Sequence, residues 1–298
     1  MNMRSEQGPL VSVVIPTFNH ARFLGRAIQS VLDQTFENWE AIVIDNHSLD
    51  NTDEVVGTFK DPRITSLKIH NNGVLAASRN LGVRAARGEW VAFLDSDDWW
   101  AANKLQVCLE QKTDLVDLVY HDLGIAHDRP GFLQSRKVRS RQVRKPVLVD
   151  LLVNGNAIAN SSVLVRKRLL EEIHGIDENP DLCAAEDYNT WLRIARITDA
   201  FLYLPRILGY YTIHAGGVSQ RDMSIPHEYA TSEFMSLLSG RERLKAESLI
   251  RYTKGRYAYL MGQREVAFEN LLFCLQYGNS LIRLKSGWML LCTKPRSL

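Results

Sequence analysis

The sequence has few cysteines, no long apolar run and almost no net charge, and each shortage excludes a class of protein. The four cysteines among 298 residues are widely spaced and form no C-x-x-C pair, which argues against a disulfide framework or a structural zinc site. No apolar stretch approaches the ~20 residues that span a bilayer, and no signal peptide is visible before the first predicted strand, so we expect a cytoplasmic protein. A formal net charge of +2 gives no signature of polyanion binding, so no nucleic-acid partner is expected.

Glycine patterns that bind phosphates are also missing. The sequence has no G-x-G-x-x-G after its first predicted strand and no G-x-x-x-x-G-K-[ST], which disfavours dinucleotide-binding and P-loop proteins. A nucleotidyltransferase would likewise need a glycine-rich basic loop after strand one, and residues 17–22 lack that pattern. With 45% hydrophobic and 23% charged residues, the composition is that of a globular protein with a core.

Short apolar runs alternate with helical patterns along the first hundred residues. This alternation predicts a doubly wound α/β fold with a mostly parallel, Rossmann-like sheet flanked by helices. Strands are predicted at 10–15, 41–44, 64–69, 90–94, 115–120, 161–165, 201–204 and 207–214, an irregular segment at 124–147, and a helix at 186–197. Helical patterns at 244–261, 265–277 and 281–291 predict a C-terminal helical extension.

Polar clusters follow three of these strands at the point where each ends. They are Pro16-Thr17-Phe18-Asn19, Asp45-Asn46 and Asp95-Ser96-Asp97-Asp98. Ligands of such sheets bind beyond the carboxyl ends of the strands, so the clusters predict one site. Phe18 is placed to stack on a nucleobase whose edge Thr17 contacts, and Asp45 or Asn46 to accept a hydrogen bond from a ring N–H or the ribose. Alternatively, Phe18 belongs to the core and Asp45-Asn46 begins a turn.

The third cluster holds three carboxylates within four residues. Like charges this close repel each other unless a cation neutralises them. A hard divalent ion such as Mg²⁺ or Mn²⁺, bound by one or two carboxylates and diphosphate oxygens, satisfies that need. The alternative is a turn or a helix N-terminus, where aspartate is a favoured cap.

The sequence resembles family 2 glycosyltransferases from about Leu10 to His214. The resemblance rests on VSVVIPTFNHARFLGRAIQSVLDQTFENWEAIVIDNHSLDNT and NNGVLAASRNLGVRAARGEWVAFLDSDDWW. It implies the GT-A nucleotide-diphospho-sugar transferase fold and inverting, metal-dependent transfer of a sugar from a nucleoside-diphosphate donor to a hydroxyl. It also implies a catalytic domain at 1–220, with a nucleotide-binding half at about 8–100 and an acceptor half at about 101–220, and a helical extension at 221–298.

The same resemblance assigns roles at the donor site. Pro16, Thr17, Phe18 and Asp45 are expected to line the nucleoside pocket, and Asp95 and Asp97 to form the DXD pair at the donor phosphates and metal. Arg79 is expected near the donor; the alternative is a surface salt bridge. His214 is expected to bind diphosphate or metal, with the glycines after it in a loop that closes over the donor; the alternative is a purely structural histidine.

One position departs from the family pattern. The family often has two acids after strand two, whereas Asn46 occupies the second place here. An asparagine oxygen still accepts a hydrogen bond from the N3–H edge that uracil and thymine share, although more weakly than a carboxylate. The resemblance therefore favours UDP- or dTDP-sugars without choosing between them.

On the acceptor side, Ala185-Glu186-Asp187-Tyr188 resembles the segment that supplies the catalytic base. We expect Asp187 to be the base and Glu186 to bind acceptor or tune the pKa of Asp187; the alternative is a helix start with favourable acids. The segment Asn160-Ser161-Ser162 is expected to border the acceptor site. The family implies a glycan or lipid-linked glycan acceptor in cell-surface polysaccharide synthesis. A non-catalytic nucleotide-sugar-binding protein on the same scaffold is the alternative function.

Two further segments leave membrane contact open. Six Lys and Arg residues lie between Arg136 and Lys145, which predicts a solvated loop or, alternatively, a contact with anionic lipid. The segment Trp288–Leu291, flanked by Arg283, Lys285 and Lys294, predicts a helix that packs on the protein or lies in a membrane interface.

Overall fold

The structure is a computed structural model that describes residues 8–111, 113–127, 133–138, 140–214 and 222–293. Its strands are β1 (Val11–Thr17), β2 (Trp39–Asp45), β3 (Ile64–Lys68), β4 (Trp90–Phe93), β5 (Trp99–Trp100), β6 (Leu118–His127), β7 (Leu133–Lys137), β8 (Leu164–Arg166) and β9 (Phe201–Ile213). Its helices are α1 (Ala21–Leu32), α2 (Thr52–Thr58), α3 (Leu75–Ala85), α4 (Lys104–Glu110), α5 (Val147–Asn154), α6 (Lys167–Glu172), α7 (Glu186–Ala195), α8 (Ser224–Ser232), α9 (Gly240–Leu260), α10 (Arg264–Tyr277) and α11 (Ser280–Thr293). Short 3-10 turns lie at Asn160–Ser162, Pro180–Leu182 and Met235–Leu237.

The strands form one nine-stranded sheet in the order β3-β2-β1-β4-β8-β6-β9-β5, with β7 paired to β6. The first four strands pair in parallel, as predicted. Beyond β4 the sheet is mixed, because β8 runs antiparallel to both β4 and β6 while β6 and β9 are parallel. Both β1 and β2 are buried along their whole length, which explains why most of their residues are apolar. The GT-A fold and the C-terminal helices are confirmed.

The chain folds into two compact units. The first comprises Met1–Gln142, Ala157–Glu178 and Ala200–Ala215 and contains the whole sheet. The second comprises Val143–Asn156, Asn179–Asp199 and Gly216–Leu298, so it includes α5 and α7 as well as the C-terminal helices. The functional division at residue 220 stays a prediction.

Several elements differ from the sequence-based expectation. The segment expected to be irregular contains the end of β6 and the strand β7, and α5 begins where it ends. The strand expected at 161–165 is a 3-10 turn followed by β8. The two strands expected at 201–204 and 207–214 are one strand, β9, whose pairing with β6 shifts register at Ile207. Pro205, which lacks an N–H to donate to a ladder, lies at this irregularity.

The first unit has an aromatic core beneath the sheet. Trp39, Trp90 and Trp100 are at most 3% exposed. Helix α3 lies close to β1 because Gly82 has no side chain: a Cβ there would lie 2.4 Å from Cγ1 of Val14. This close approach brings α3, and with it Arg79, to the sheet.

The second unit has a smaller core of its own, in which Ala258, Ala267, Leu271 and Met289 are buried. A capping box between Ser239 and Glu242 begins α9, because each side chain satisfies a backbone N–H that the helix leaves unpaired. None of the helices that the structure describes combines the length and the apolar composition needed to span a lipid bilayer.

Lys104 is an unusual member of the first core. It begins α4 and its side chain is fully buried. Its Nζ donates to the carbonyl of Val163 at 3.4 Å and lies 3.8 Å from the centre of the Trp100 ring. Its partners are therefore a carbonyl and an aromatic ring, and burial lowers the pKa of Lys104 to about 8.

We predict that Lys104→Met raises the free energy of unfolding at pH 7 by roughly 1–4 kcal/mol, because a buried charge is replaced by an apolar group of similar length. The pKa of this lysine is about 8 in the folded protein against an ordinary 10.5. Between these two pH values the unfolded wild-type chain therefore binds more protons than the folded one. The free energy of unfolding of the wild type then rises, relative to that of the variant, as the pH increases through this range.

Urea unfolding of both proteins at pH 7 and pH 10 checks this prediction. The advantage of the variant should shrink at pH 10. A variant that is less stable at pH 7, or a difference that does not depend on pH, would contradict the charge argument.

Candidate active site

The structure brings the three polar clusters to one edge of the sheet. They follow β1, β2 and β4, and β1 lies between the other two strands. Thr17 pairs with Asp45 in register, and the N–H of Asn46 donates to the Thr17 carbonyl at 3.1 Å. The N–H of Leu94 donates to the Val14 carbonyl at 3.0 Å, which holds the end of β4 beside β1. The clusters therefore adjoin one another, as the parallel strand order requires.

The nucleoside-side residues have unequal exposure. Phe18 is 49% exposed, so it is not a core residue and its ring is accessible to a ligand. Pro16 and Thr17 are buried at the end of β1, and the Thr17 hydroxyl makes no hydrogen bond to any residue that the structure describes. The exposed ring is thus the part of this cluster best suited to stacking.

Asp45 is buried and does form a turn. Its Oδ1 accepts hydrogen bonds from the backbone N–H and the hydroxyl of Ser48, at 3.0 and 2.6 Å. Its Oδ2 lies 3.6 Å from Lys68 Nζ and accepts no hydrogen bond within the described part of the chain. One carboxylate oxygen therefore organises the turn, and the other keeps its capacity to accept.

Asn46 and Asn19 fasten neighbouring loops. Asn46 Oδ1 accepts from the backbone N–H of Asn71 at 2.9 Å, which ties the loop after β3 to the end of β2. Asn19 has a positive φ of 50°, and its Oδ1 accepts from the N–H of Leu49 at 2.7 Å. The Asn46 amide retains a second lone pair and two donors for a ligand. The loop-fastening role of both residues was not visible in the sequence.

Asp95 is held by a buried arginine. Arg79 donates from Nη2 to Asp95 Oδ1 at 2.8 Å, and its side chain is 3% exposed. Asn160 Nδ2 donates to the same oxygen at 3.1 Å, and Ser161 Oγ accepts from the Asp95 N–H at 3.1 Å. Arg79 is therefore not a surface salt bridge, because α3 buries it against the sheet.

Asp97 is held from the other side. His214 Nε2 lies 2.8 Å from Asp97 Oδ2, and the His214 side chain is 3% exposed. The Asp97 carbonyl accepts from Arg26 Nη2 at 3.1 Å and from the hydroxyl of Thr212. Arg26 also lies over the Trp99 ring, 3.6 Å from its centre. Arg26 and Thr212 are site residues that sequence reasoning missed, since no local pattern marks either of them as close to Asp97.

His214 belongs to a group of rings. Its ring centre is 4.9 Å from that of Phe23 and 5.7 Å from that of His20, which contacts Ser96 Oγ through Nδ1 at 3.0 Å. Burial lowers the pKa of His20; Asp97 acts in the opposite direction, and His214 lowers it further. The glycine loop expected after His214 lies outside the described residues.

Asp98 has a structural role. It is 1% exposed, accepts from Ser161 Oγ at 2.6 Å and from the Thr212 N–H at 3.0 Å. Burial, and then repulsion by Asp97 and Asp95, hold the pKa of Asp98 well above its ordinary value despite these hydrogen bonds. Asp98 thus joins the turn to β9 and leaves the other two aspartates at the surface of the site.

The carboxylate oxygens at this turn are suitable ligands for a hard divalent cation. Asp95 and Asp97 each commit one carboxylate oxygen to the partners above and retain the other. No group of three or more His, Cys, Asp and Glu side chains in the described ranges forms a complete cation site. Mg²⁺ and Mn²⁺ commonly take one or two carboxylates and complete their coordination with substrate phosphates and water, so two carboxylates suffice.

The predicted base lies in the second unit. Glu186 and Asp187 form the first turn of α7, as expected, and the helix ends at Ala195 rather than Ile197. Glu186 is buried and Asp187 is partly exposed. Both acids also suit the positive end of the helix dipole, so their position is compatible with either of the two readings of the sequence.

The basic stretch is partly engaged in structure. Lys137 Nζ pairs with the buried Asp122 at 2.6 Å, and Tyr203 donates its hydroxyl to the same carboxylate at 2.7 Å. Burial and this carboxylate raise the pKa of Tyr203. Arg139 lies outside the described residues, so the role predicted for the whole stretch stays a prediction.

We predict that Arg79→Met lowers the free energy of unfolding by about 3 kcal/mol, because it leaves Asp95 without its buried cation. The control is Glu171→Gln, which removes an ion pair between Lys167 and a glutamate that is 59% exposed and should cost less than ~1 kcal/mol. Urea unfolding at pH 7 measures both. Equal decreases in the free energy of unfolding would contradict the claim that the Arg79–Asp95 pair stabilises the fold more than an exposed ion pair does.

Comparison with known proteins finds glycosyltransferases of similar sequence. WfgD of Escherichia coli, a UDP-Glc:alpha-D-GlcNAc-diphosphoundecaprenol beta-1,3-glucosyltransferase, is 44% identical over 191 residues, which cover 63% of this chain and 70% of that protein. An uncharacterised glycosyltransferase of a Nostoc strain is 33% identical, and the alignment covers 56% of this chain and 54% of that protein. The chain thus spans about half the length of that second relative.

Solved structures share the fold. S. aureus TarS 1-349 in complex with UDP-GlcNAc superposes with a TM-score of 0.65 at 16% identity, covering 95% of this chain and 88% of that one. The mannosyltransferase PcManGT from Pyrobaculum calidifontis, in complex with GDP-Man and Mn²⁺, gives a TM-score of 0.62 at 19% identity, covering 97% and 82%.

Residues 12–172, more than half of the chain, match the model of glycosyl transferase family 2. This match covers the three clusters at the sheet edge together with Arg79 and Asn160. The chain therefore belongs to glycosyl transferase family 2.

Proposed function

We propose that the chain is an inverting, metal-dependent glycosyltransferase that moves a sugar from a UDP- or dTDP-type donor to a hydroxyl of a glycan or lipid-linked glycan. The observation that carries this proposal is the arrangement of Asp95 and Asp97 at the end of β4, each held by a partner through one oxygen. These carboxylates lie beside the ends of β1 and β2, where the nucleoside would bind.

The nucleoside end of the donor would lie against the β1 and β2 clusters. The exposed Phe18 ring would stack on the base. Asp45 Oδ2, which accepts no hydrogen bond from any described residue, and Asn46 would meet the N–H edge of the ring or the ribose. A pyrimidine N3–H needs an acceptor of this kind, which supports uracil or thymine.

The diphosphate would lie at the β4 turn. Asp95 and Asp97 would hold a Mg²⁺ or Mn²⁺ ion, which supplies Lewis-acid stabilisation of the negative charge on the leaving group. Arg79 keeps Asp95 in place, and His214 does the same for Asp97. His214 would alternatively contact the diphosphate. A structural neighbour with bound Mn²⁺ supports this choice of ion.

The transfer step needs a base for the acceptor. In a single displacement, the acceptor hydroxyl forms a bond to the anomeric carbon as the bond to the diphosphate breaks, and the nucleoside diphosphate leaves with the electron pair. Asp187 would take the hydroxyl proton, and Glu186, next to it at the start of α7, would bind acceptor or adjust the pKa of the base.

We predict that Asp187→Asn leaves the dissociation constant of the donor within about twofold but slows sugar transfer by 10²-fold or more, because the amide cannot accept the proton. The control is Asp114→Asn, an exposed loop acid expected to transfer at the wild-type rate. Calorimetry with the donor and release of nucleoside diphosphate in the presence of acceptor measure the two effects.

Retention of transfer by the Asp187→Asn variant would refute the assignment of the base. A wild-type chain that binds the donor and neither transfers nor hydrolyses it would instead support a non-catalytic binding protein.

A relative supports the acceptor class that we propose. WfgD acts on a sugar linked to diphosphoundecaprenol, as its name states. We propose that this chain likewise extends a lipid-linked glycan during cell-surface polysaccharide synthesis. Such an acceptor would place the enzyme in the cytoplasm, at the inner face of the membrane.

We predict that UDP- or dTDP-sugars with Mn²⁺ raise the melting temperature most among a panel of UDP-, dTDP- and GDP-sugars. A donor at 100 times its dissociation constant stabilises the folded state by about 2.7 kcal/mol. Thermal unfolding is measured with each donor with and without Mn²⁺, and Asp97→Asn should lose the part that depends on the ion. A preference for GDP-sugars would contradict the proposed base pocket.

A further inference from the structure

Helices α10 and α11 carry large apolar side chains on their solvent side. On α11 these side chains recur at intervals of three, four and three residues, which keeps them on one face. They are Leu281, Leu284, Trp288 and Leu291, exposed by 48%, 74%, 66% and 70%. On α10 they recur at intervals of four and three residues, and they are Phe268, Leu272 and Leu275, exposed by 40%, 49% and 42%. We call these seven residues the apolar face.

The apolar face is continuous and is not the face that packs inside the unit. The inward side of α11 is formed by Ile282, Ser286 and Met289, all buried. The two helices meet beside the apolar face, since a Cβ on Gly287 would lie 3.5 Å from Leu275 Cδ1. Each helix therefore has one apolar side in the core and a second one in solvent, which is unusual for a helix at the surface of a globular domain.

The charge that α11 places beside the apolar face is positive. Helix α11 contains Arg283 and Lys285 and no acidic residue, and the sequence continues with Lys294 and Arg296. On the helical pitch Arg283 and Lys285 lie on opposite sides of the exposed stripe. Arg283 is exposed and donates to the Gln276 carbonyl, whereas Lys285 is partly buried, with its Nζ 5.6 Å from the centre of the Tyr252 ring on α9. Of the two acids on α10, Glu269 lines a cavity toward α9. Glu265, at the start of α10, is the acid on the solvent side of that helix.

We propose that the apolar face of α10 and α11 lies on an anionic lipid membrane, with Trp288 and its leucine neighbours inserted at the headgroup boundary. An apolar stripe bordered by an exposed cation, on a helix without acidic residues, is the pattern of interfacial helices. Tryptophan favours that boundary because its ring is apolar and its N–H is polar. A second copy of the chain would offer the same positive charges, and the two sets would repel. The inference rests on the proposed function in one respect: an enzyme that acts on lipid-linked glycans would need contact with a membrane.

Vesicle sedimentation tests the proposal with the full chain and no donor present. The wild-type protein should sediment with vesicles of phosphatidylcholine and phosphatidylglycerol and much less with phosphatidylcholine alone. The double variant Leu284→Ser/Trp288→Ser should bind anionic vesicles about tenfold more weakly or worse, because each lost side chain removes apolar burial. The control Ile225→Ser/Leu237→Ser changes two side chains of the same unit that are both 56% exposed and should bind as wild type does.

A second variant keeps the test informative if the first fails to fold. Arg283→Glu leaves the apolar face intact and should weaken binding to anionic vesicles several-fold, with a smaller difference at high salt. Failure of the wild type to sediment, or equal losses in the control, would overturn the proposal. A dimer in light scattering that the double variant abolishes would show that a second copy covers the face instead.

Donor-induced thermal stabilisation separates this inference from the proposed function. The double variant should keep that stabilisation while it loses vesicle binding. Loss of donor response in the wild type with vesicle binding intact would refute the enzyme proposal and leave the membrane surface standing.

Discussion

Repulsion among three aspartates that follow a single buried strand is the constraint on which this site depends. Each carboxylate meets a different partner: a buried guanidinium for Asp95, an imidazole for Asp97, and two hydrogen-bond donors for Asp98. These partners come from α3, the end of β9 and the turn before β8. The order of the strands in the sheet thus brings together the groups that offset the repulsion among the three aspartates. Any ligand that binds there meets a charge distribution already fixed by the fold.

The sequence was sufficient for the strands whose ends form the site. The apolar residues of β1, β2 and β4 reflect burial on both faces. Apart from Ser12 and Glu40, which hydrogen-bond to each other at 2.7 Å, polar residues appear where each strand leaves the sheet. Phe18, Asp45, Asp95 and Asp97 could therefore be placed at one edge from pattern alone. The family resemblance added Arg79 and His214, and the structure brings both to the aspartates.

The rest of the site was not predictable, because its signals are tertiary. Arg26 lies inside an ordinary amphipathic helix, and only the folded chain brings it to the Asp97 carbonyl. The anchoring of Asn46 to Asn71 joins loops 25 residues apart, and no local pattern marks such a pair. Strand β9 was divided in two because Pro205 interrupts its alternation, although pairing with β6 continues past the interruption. Short helices such as α4 and α6 were not predicted, because seven and six residues are too few to show a helical period.

The pairing of β9 has a consequence for how the acidic turn could be disturbed. Thr212 lies near the end of β9 and His214 follows its last residue, and both side chains contact Asp97. Sliding β9 by a single residue would present Ile213 in their place, and hydrogen bonds to Asp97 and Asp98 would disappear together. The register of β9 against β6 shifts at Pro205, several residues before Thr212. That register therefore determines which side chains of β9 reach Asp97 and Asp98. An insertion or deletion near residue 205 would therefore change the hydrogen bonds of Asp97 and Asp98, although residue 205 does not contact either of them.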